Sequence, residues 1–240
     1  MSSMDIARES SHIAKKIYQS SRGGPFDVPE AMLSPETQRV AGISAFQIPS
    51  DDQSTSRTVT LVDGSVLTGI DRVVICTGYL FSLPFLRDLH DDTATLETAN
   101  DTILVTDGTQ LHNLHKDIFY IPDPTLAFVG VPFFTATFSF FEFQAIGVAA
   151  VFSGRAWVPS REEMQAEYSE RLRKKGVGRA FHNLRGISVE YVDELVAWLN
   201  SQAEVTGGQK IEGYSQEWQE ESKLILTKYL KLVQEKDLRH

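Results

Sequence analysis

Two hydroxyls and a guanidinium near the start of this 240-residue sequence have types and spacing suited to holding phosphate. Ser2 and Ser3 stand at the head of a helical pattern formed by Ile6, Ser10, Ile13, Ala14 and Ile17. The free N–H groups and the dipole at such a helix start favour an anion, and either serine can cap it. Arg22 follows at the end of an extended stretch, Lys16–Arg22. That is about 20 residues on, the distance at which the second strand of a dinucleotide-binding unit carries an acid for NAD or an arginine for NADP. The stretch ends in Ser20-Ser21-Arg22 with no acid beside it, and a guanidinium fork suits a 2′-phosphate. The same spacing also fits a solvated arginine at a strand end.

Other chemistry is sparse. The six histidines have no metal-ligand spacing, and no metal site is assigned. No acid–base pair or nucleophile triad stands out. The single cysteine, Cys76, lies in an apolar run and reads as a small buried hydrophobe. One cysteine forms no internal disulfide, which points to a reducing compartment and a cytoplasmic location. A net charge of −9 argues against nucleic-acid partners and against an anionic membrane surface. No apolar run reaches the roughly 18 residues that a membrane-spanning helix needs. Apolar residues at 42% and charged residues at 23% are ordinary for a globular chain of one large or two small domains, and a homo-oligomer stays open.

The elements that must position these residues can be read in order. A helix, a strand and the Gly23-Gly24-Pro25 loop come first. Val40–Ile48 is extended and Asp51–Arg57 is a polar loop. Thr58–Val62 and Ser65–Ile70 flank Asp63-Gly64, the pair that a two-residue hairpin turn wants. Val73–Cys76 reads as a short buried strand running into a tight turn at Thr77-Gly78. Asp88–Thr102 is acidic and turn-rich. Leu111–Ile121 gives a loop and strand, and Leu126–Val129 a second apolar strand ending at Gly130. A helix opens at Glu142-Phe-Gln144 and runs to Phe152, with Gly154 as its stop. Ser160 with Glu163 forms a capping box for the next helix. Arg171–Lys175 reads as a solvated helix face. Ser188–Leu199 and Gln216–Leu238 are amphipathic, with Trp198 and Trp218 as core residues.

Three segments together carry a family resemblance. Ser2-Ser3-Met4-Asp5-Ile6-Ala7 is similar to the tail of the second nucleotide fingerprint of the flavin-containing monooxygenases. Asp71-Arg-Val-Val-Ile-Cys-Thr-Gly-Tyr79, followed by Pro84-Phe-Leu86, resembles that family's Ala-Thr-Gly-Tyr segment, with Cys76 in place of Ala. Pro124-Thr-Leu-Ala-Phe-Val-Gly-Val-Pro132, followed by Glu142-Phe-Gln144, resembles its returning flavin-domain segment. Thr137-Phe138-Ser139 replaces the family's Pro-Phe-Pro.

The resemblance implies an α/β chain: a partial two-dinucleotide-binding, Rossmann-like flavoprotein fold with a helical C-terminal extension. Residues 1–86 would be the remainder of an NADPH-binding domain, 87–110 a crossing linker, 111–155 the returning segment of an FAD-binding domain and 156–240 the extension. It implies a C-terminal portion, with the FAD glycine motif lying upstream. It requires Ser2–Tyr18 to form the helix and strand of a parallel sheet that also contains Val73–Cys76. The implied cofactors are FAD and NADPH. Ser2, Ser3 and Arg22 would serve the NADPH phosphates, Thr77 and Gly78 the domain crossing, and Gly130, Pro132 and Gln144 the flavin side. The implied reaction oxygenates a small soft nucleophile (amine, sulfide or thiol) through a flavin hydroperoxide, with the chemistry carried by the cofactor. A flavin-disulfide reductase is disfavoured by the lack of Cys-x-x-Cys. A non-catalytic fragment or interaction module without bound flavin is the alternative.

Overall fold

Ser2–Ser10 forms the first helix, α1, with Asp5 in its first turn and Arg8 in its last, each complementing the helix dipole. A computed structural model of the chain describes residues 2–24, 27–47 and 57–237. Pro25, Ile48, the polar loop over 51–56 and Leu238 lie outside the described residues. The chain divides into two compact units, Met1–Gly78 with Glu220–His240, and Tyr79–Gln219.

In the first unit α1 leads to β1 (Ile17–Ser20), which pairs in parallel with β2 (Thr37–Val40), Ile17 opposite Thr37 and Ser20 opposite Val40. The two strands therefore end together, and their carboxyl ends form one edge. Gln19 donates to the Ser3 hydroxyl at 2.7 Å, tying helix to strand. β3 (Ile43–Gln47), β4 (Thr58–Leu61) and β5 (Val66–Thr68) form a separate antiparallel sheet in that order. The hairpin falls where Asp63-Gly64 places it, with a longer loop than the pair suggests. Leu61 N–H donates to Ser65 C=O at 2.8 Å, so Val62, Asp63 and Gly64 make a three-residue turn, with Gly64 at φ +85°.

Val73–Cys76 departs from expectation. It forms no strand and joins no sheet, and Val73, Val74 and Ile75 are 48%, 59% and 81% exposed. An apolar run of this kind suits a strand covered on both faces and bonded on both edges. Among the described residues β1 pairs only with β2, and no strand offers a ladder to the run. Gly78 does take the positive φ, +85°, that its turn requires.

The second unit buries most of the core. Its tail of short pieces is β6 (Leu114–His115) and β7 (Phe119–Tyr120), a tight antiparallel hairpin. Leu126–Val129 is not a strand; it touches the hairpin through one bridge, Ala127 to Phe119. Turns at both ends, including Asp123 bonded to Thr125, leave too little extended backbone for a ladder. Leu104 and Val105, just past the acidic and turn-rich region, pack with Leu111, Leu114 and Tyr120.

The helices follow. α2 (Thr137–Phe152) starts five residues before Glu142, and its inward stripe is Phe140, Gln144 and Gly147, the i, i+4, i+7 spacing of one helix face. α4 (Ser188–Thr206) answers with Val192, Leu195, Val196, Leu199 and Ala203. A Cβ on Gly147 would lie 3.7 Å from Leu195, an ordinary packing distance, so the helix contact has room for alanine there. α3 (Arg161–Lys175) begins at the expected capping box: Ser160 Oγ accepts from Glu163 N–H and Glu163 accepts from Ser160 N–H at 2.9 Å. α5 (Gln216–Asp237) completes the chain. Among the described residues no helix is long and apolar enough to cross a membrane.

Candidate functional site

The first unit offers one edge suited to a nucleotide. Open parallel sheets bind ligands outside the carboxyl ends of their strands. Here a cavity of about 530 Å³ lies at that place, lined among others by Ser21, Arg39, Val40 and Ala41 from the ends of β1 and β2, and by Asp63 and Ser65 of the hairpin turn. Ser2 and Ser3 open α1, and Ser3 Oγ is held by Gln19. Arg22 is exposed just past β1, its Cγ within 3.4 Å of where a Gly42 Cβ would be. Thr77 and Gly78 are exposed at the end of the unpaired run.

One local reading is corrected. An acid does stand beside the end of β1. The loop turns back at Gly23, φ +72°, and returns Asp27 to accept from the Ser21 hydroxyl and, at 3.0 Å, from Gly24 N–H. Arg39, which sequence reasoning passed over, lies in the same cavity, donates to Val28 C=O and keeps its Nε buried with no partner among the described residues. Alternation in β2 gave no hint of either residue. An orphaned buried donor, an exposed guanidinium and an open cavity at the strand ends fit the phosphorylated adenosine end of a dinucleotide.

In the second unit the structure brings Gly130 and Gln144 together. Gly130 N–H donates to Gln144 Oε1 at 2.9 Å, Gln144 Nε2 donates to Tyr191 Oη at 3.0 Å, and Tyr191 donates to Lys116 C=O. Gln144 therefore sits in the middle of α2, not at its start, buried and engaged at both ends of its amide. Its fit to a flavin is indirect: it holds the Gly130 loop in place. Gly130 has φ +94°, and a Cβ there would meet the Phe141 ring at 3.3 Å. Burial pushes the Tyr191 phenol well above its ordinary value, so it stays a donor. Phe134 and Thr137 take φ of 58° and 28°, conformations that bulky or β-branched residues avoid, so this loop is strained.

Beneath it lies a buried ionic cluster. His115, Lys116, Asp117 and Ile118 form the hairpin turn, with Lys116 and Asp117 at φ 52° and 56°. Ile118 N–H closes the turn onto His115 C=O at 3.0 Å, a primed turn built without its usual Asn-Gly. Asp117 Oδ1 accepts from Arg171 at 2.6 Å and from His182 Nδ1 at 2.8 Å, while Leu111 N–H donates to the other nitrogen of His182 at 3.1 Å. Burial raises the Asp117 carboxyl, but the Arg171 and His182 charges outweigh it and hold the group below the usual carboxylate range. His115 bonds Glu167, whose carboxyl burial raises and the His115 bond lowers, for a net fall. Arg171 is thus no solvated face residue: its side chain is only 19% exposed, while Arg173 and Lys174 pair outward with Glu170.

His112, bonded to Thr106 at 3.1 Å, is pushed down to about 4 by burial and then by the His182 charge. Its folded value lies below the ordinary 6.5, so the stability it contributes is complete above pH 6.5 and is lost as pH falls toward 4. Asp117 loses its contribution only at lower pH. Urea midpoints of the chain should therefore drop across that window, and His112→Gln should flatten the drop. An unchanged slope would contradict this assignment. Among the described residues no group of His, Cys, Asp and Glu could hold a metal ion.

Comparison with known proteins places these pieces in one frame. Residues 40–207 match the family model described as flavin-binding monooxygenase-like. Flavin-containing monooxygenase ustF2 of Aspergillus flavus is 43% identical over 236 residues, covering 95% of this chain and 48% of the relative. The thiol-specific monooxygenase of Saccharomyces cerevisiae is 30% identical over 203 residues, covering 83% of this chain and 41% of the relative. The solved structure of S-allyl-L-cysteine S-oxygenase from Allium sativum superposes with a TM-score of 0.57 at 26% identity, over 87% of this chain and 43% of its own. The chain spans about half the length, or less, of the relatives it matches.

Proposed function

Because the chain belongs to the flavin-binding monooxygenase-like family, we propose that it is the part of an FAD- and NADPH-dependent monooxygenase that holds the NADPH phosphates and backs the flavin. The observation that carries this reading is the reach of a single family match. Residues 40–207 take in both Thr77-Gly78 and Gly130 to Gln144, the nucleotide-side and flavin-side segments. FAD, when bound, supplies the redox and oxygen chemistry, fed by NADPH. The chain's own residues bind and position. Ser2, Ser3 and Arg22 serve phosphate. Gln144 and Tyr191 fix the strained loop that begins at Gly130, so that its backbone meets the cofactor in one conformation.

The substrate is a small soft nucleophile, and likeness to a thiol-specific monooxygenase and to an S-allyl-L-cysteine S-oxygenase favours sulfur. The test joins this chain to the portion of the Aspergillus flavus relative that it does not match, then measures NADPH-dependent oxygen uptake with a thiol, a thioether, a tertiary amine and a cyclic ketone. Stoichiometric oxygenation of the sulfur compounds is expected. Turnover of the ketone alone would replace soft-nucleophile oxygenation with ring insertion. No NADPH oxidation at all would overturn the reading. A second reading has its own observation: the exposed run Val73–Ile75 suits a polypeptide that by itself is non-catalytic and offers that edge to a partner.

A further inference from the structure

The loop that begins at Gly130 is held at two points, and both holds lead to one carboxylate. At its start Gly130 N–H donates to Gln144, Gln144 donates to Tyr191, and Tyr191 donates to the carbonyl of Lys116, the residue beside Asp117. Further along, Phe133 N–H donates to His182 C=O at 3.1 Å and Phe133 C=O accepts from Leu184 N–H at 3.1 Å, a short parallel bridge onto residues 182–184. The His182 side chain anchors that bridge. It is fully buried, meets the Phe181 and Phe81 rings edge-on at 5.0 and 5.8 Å, and bonds Asp117 Oδ1 at 2.8 Å. Lys175 Nζ steadies the same strip by donating to Asn183 C=O at 2.8 Å. Asp117 also takes Arg171 at 2.6 Å, an ion pair that keeps Lys116 and Asp117 at positive φ. The loop so held is itself strained, with φ of 94° at Gly130 and 58° at Phe134. Such backbone persists only where its surroundings fix it.

We propose that Asp117 is a positioning residue for the Gly130–Phe134 loop, fixing its start through Lys116 and Tyr191 and its Phe133 bridge through His182. The proposal rests on the flavin-side reading of this loop given above. It adds a residue whose own bonds go only to Arg171 and His182, and which reaches the loop through others. A buried charge is a stiff anchor, because each donor that moves away gives up a charge-assisted bond where no water replaces it. Removing the charge therefore loosens both holds together, whereas cutting one route leaves the other in place.

Amide hydrogen exchange in the full 240-residue chain reads the two holds separately. In the parent the Gly130 and Phe133 amides should both be protected. Tyr191→Phe keeps the ring beside Phe140 and removes the hydroxyl, so Gly130 should exchange about tenfold faster, the worth of one hydrogen bond, with Phe133 unchanged. Asp117→Asn keeps an acceptor for Arg171 and His182 and removes the charge, so both amides should quicken by about tenfold. The Leu195 amide, buried in α4, is the control. A role confined to overall stability quickens Leu195 and leaves the loop amides as they were. Three results overturn the proposal: loop amides unprotected in the parent, Tyr191→Phe moving Phe133 as much as Gly130, or Asp117→Asn failing to quicken both. In the joined protein Asp117→Asn should also send a several-fold larger share of the NADPH electron pairs to hydrogen peroxide rather than to product. An unchanged share there overturns the positioning role. A joined protein that oxidises no NADPH is instead the failure of the monooxygenase reading, and exchange in the chain alone then decides the proposal.

Discussion

Asp117→Ala should destabilise the Tyr79–Gln219 unit by about 3–5 kcal/mol, a large share of a domain's total stability. The physical reason is the debris it leaves. Arg171 and His182 both donate to Asp117 Oδ1, and both would be stranded without a carboxylate in the interior. The neighbouring turn would suffer too. Lys116 and Asp117 both sit at positive φ, which costs roughly 1–2 kcal/mol for each non-glycine residue, and the ion pair together with the Tyr191 bond to Lys116 holds them there. Urea unfolding followed by tryptophan fluorescence reads the loss. Replacing the pair together, Asp117→Leu with Arg171→Met, should recover part of it, because no guanidinium is then stranded, while His182 Nδ1 still lacks its acceptor. A single variant within about 1 kcal/mol of the parent would mean that the cluster is bystander chemistry rather than the pin of the hairpin.

What could be read from the sequence was local. The capping box at Ser160 and Glu163 names its own helix start, because both partners lie within one turn. Asp63-Gly64 marks its hairpin for the same reason. Long-range pairing left no such trace. Asp117 meets Arg171 and His182 across 54 and 65 residues, and Arg171 hides in a run of basic residues of which Arg173 and Lys174 pair outward with Glu170. The fold turns Arg171 and Lys175 inward, and nothing in the spelling of the run says which members turn. The start of α2 was misread because Thr137-Phe138-Ser139 lacks a helix-start signature; the helix enters through a strained Thr137, and no side chain caps it. Val73–Cys76 was read correctly as an apolar run and incorrectly as a buried strand, since burial depends on neighbours that periodicity does not contain. Asp27 was missed because a turn through Gly23 and Gly24 carries it back to the strand end in space, though not in sequence. Helix-then-strand order foretells α1 and β1, but not that β1 pairs in parallel with Thr37–Val40 rather than standing in a sheet with Val73–Cys76.

The 240-residue chain alone should hold no FAD through desalting. A flavin's pyrophosphate is clasped by a glycine turn at a helix start, and no Gly-x-Gly-x-x-Gly occurs in these residues. Gln144, which the resemblance sets on the flavin side, has both amide ends bonded within the chain and offers no direct grip. If the chain is one part of a two-nucleotide flavoprotein, as proposed above, flavin should follow the joining of the parts. The measurement is the ratio of bound FAD to protein for the chain by itself and for the chain joined to the complementary portion of the Aspergillus flavus relative. A ratio near zero alone and near one when joined, with the bound flavin bleached by NADPH under nitrogen, is the predicted result. A chain that is yellow by itself, or a folded joined protein that stays colourless, would contradict it.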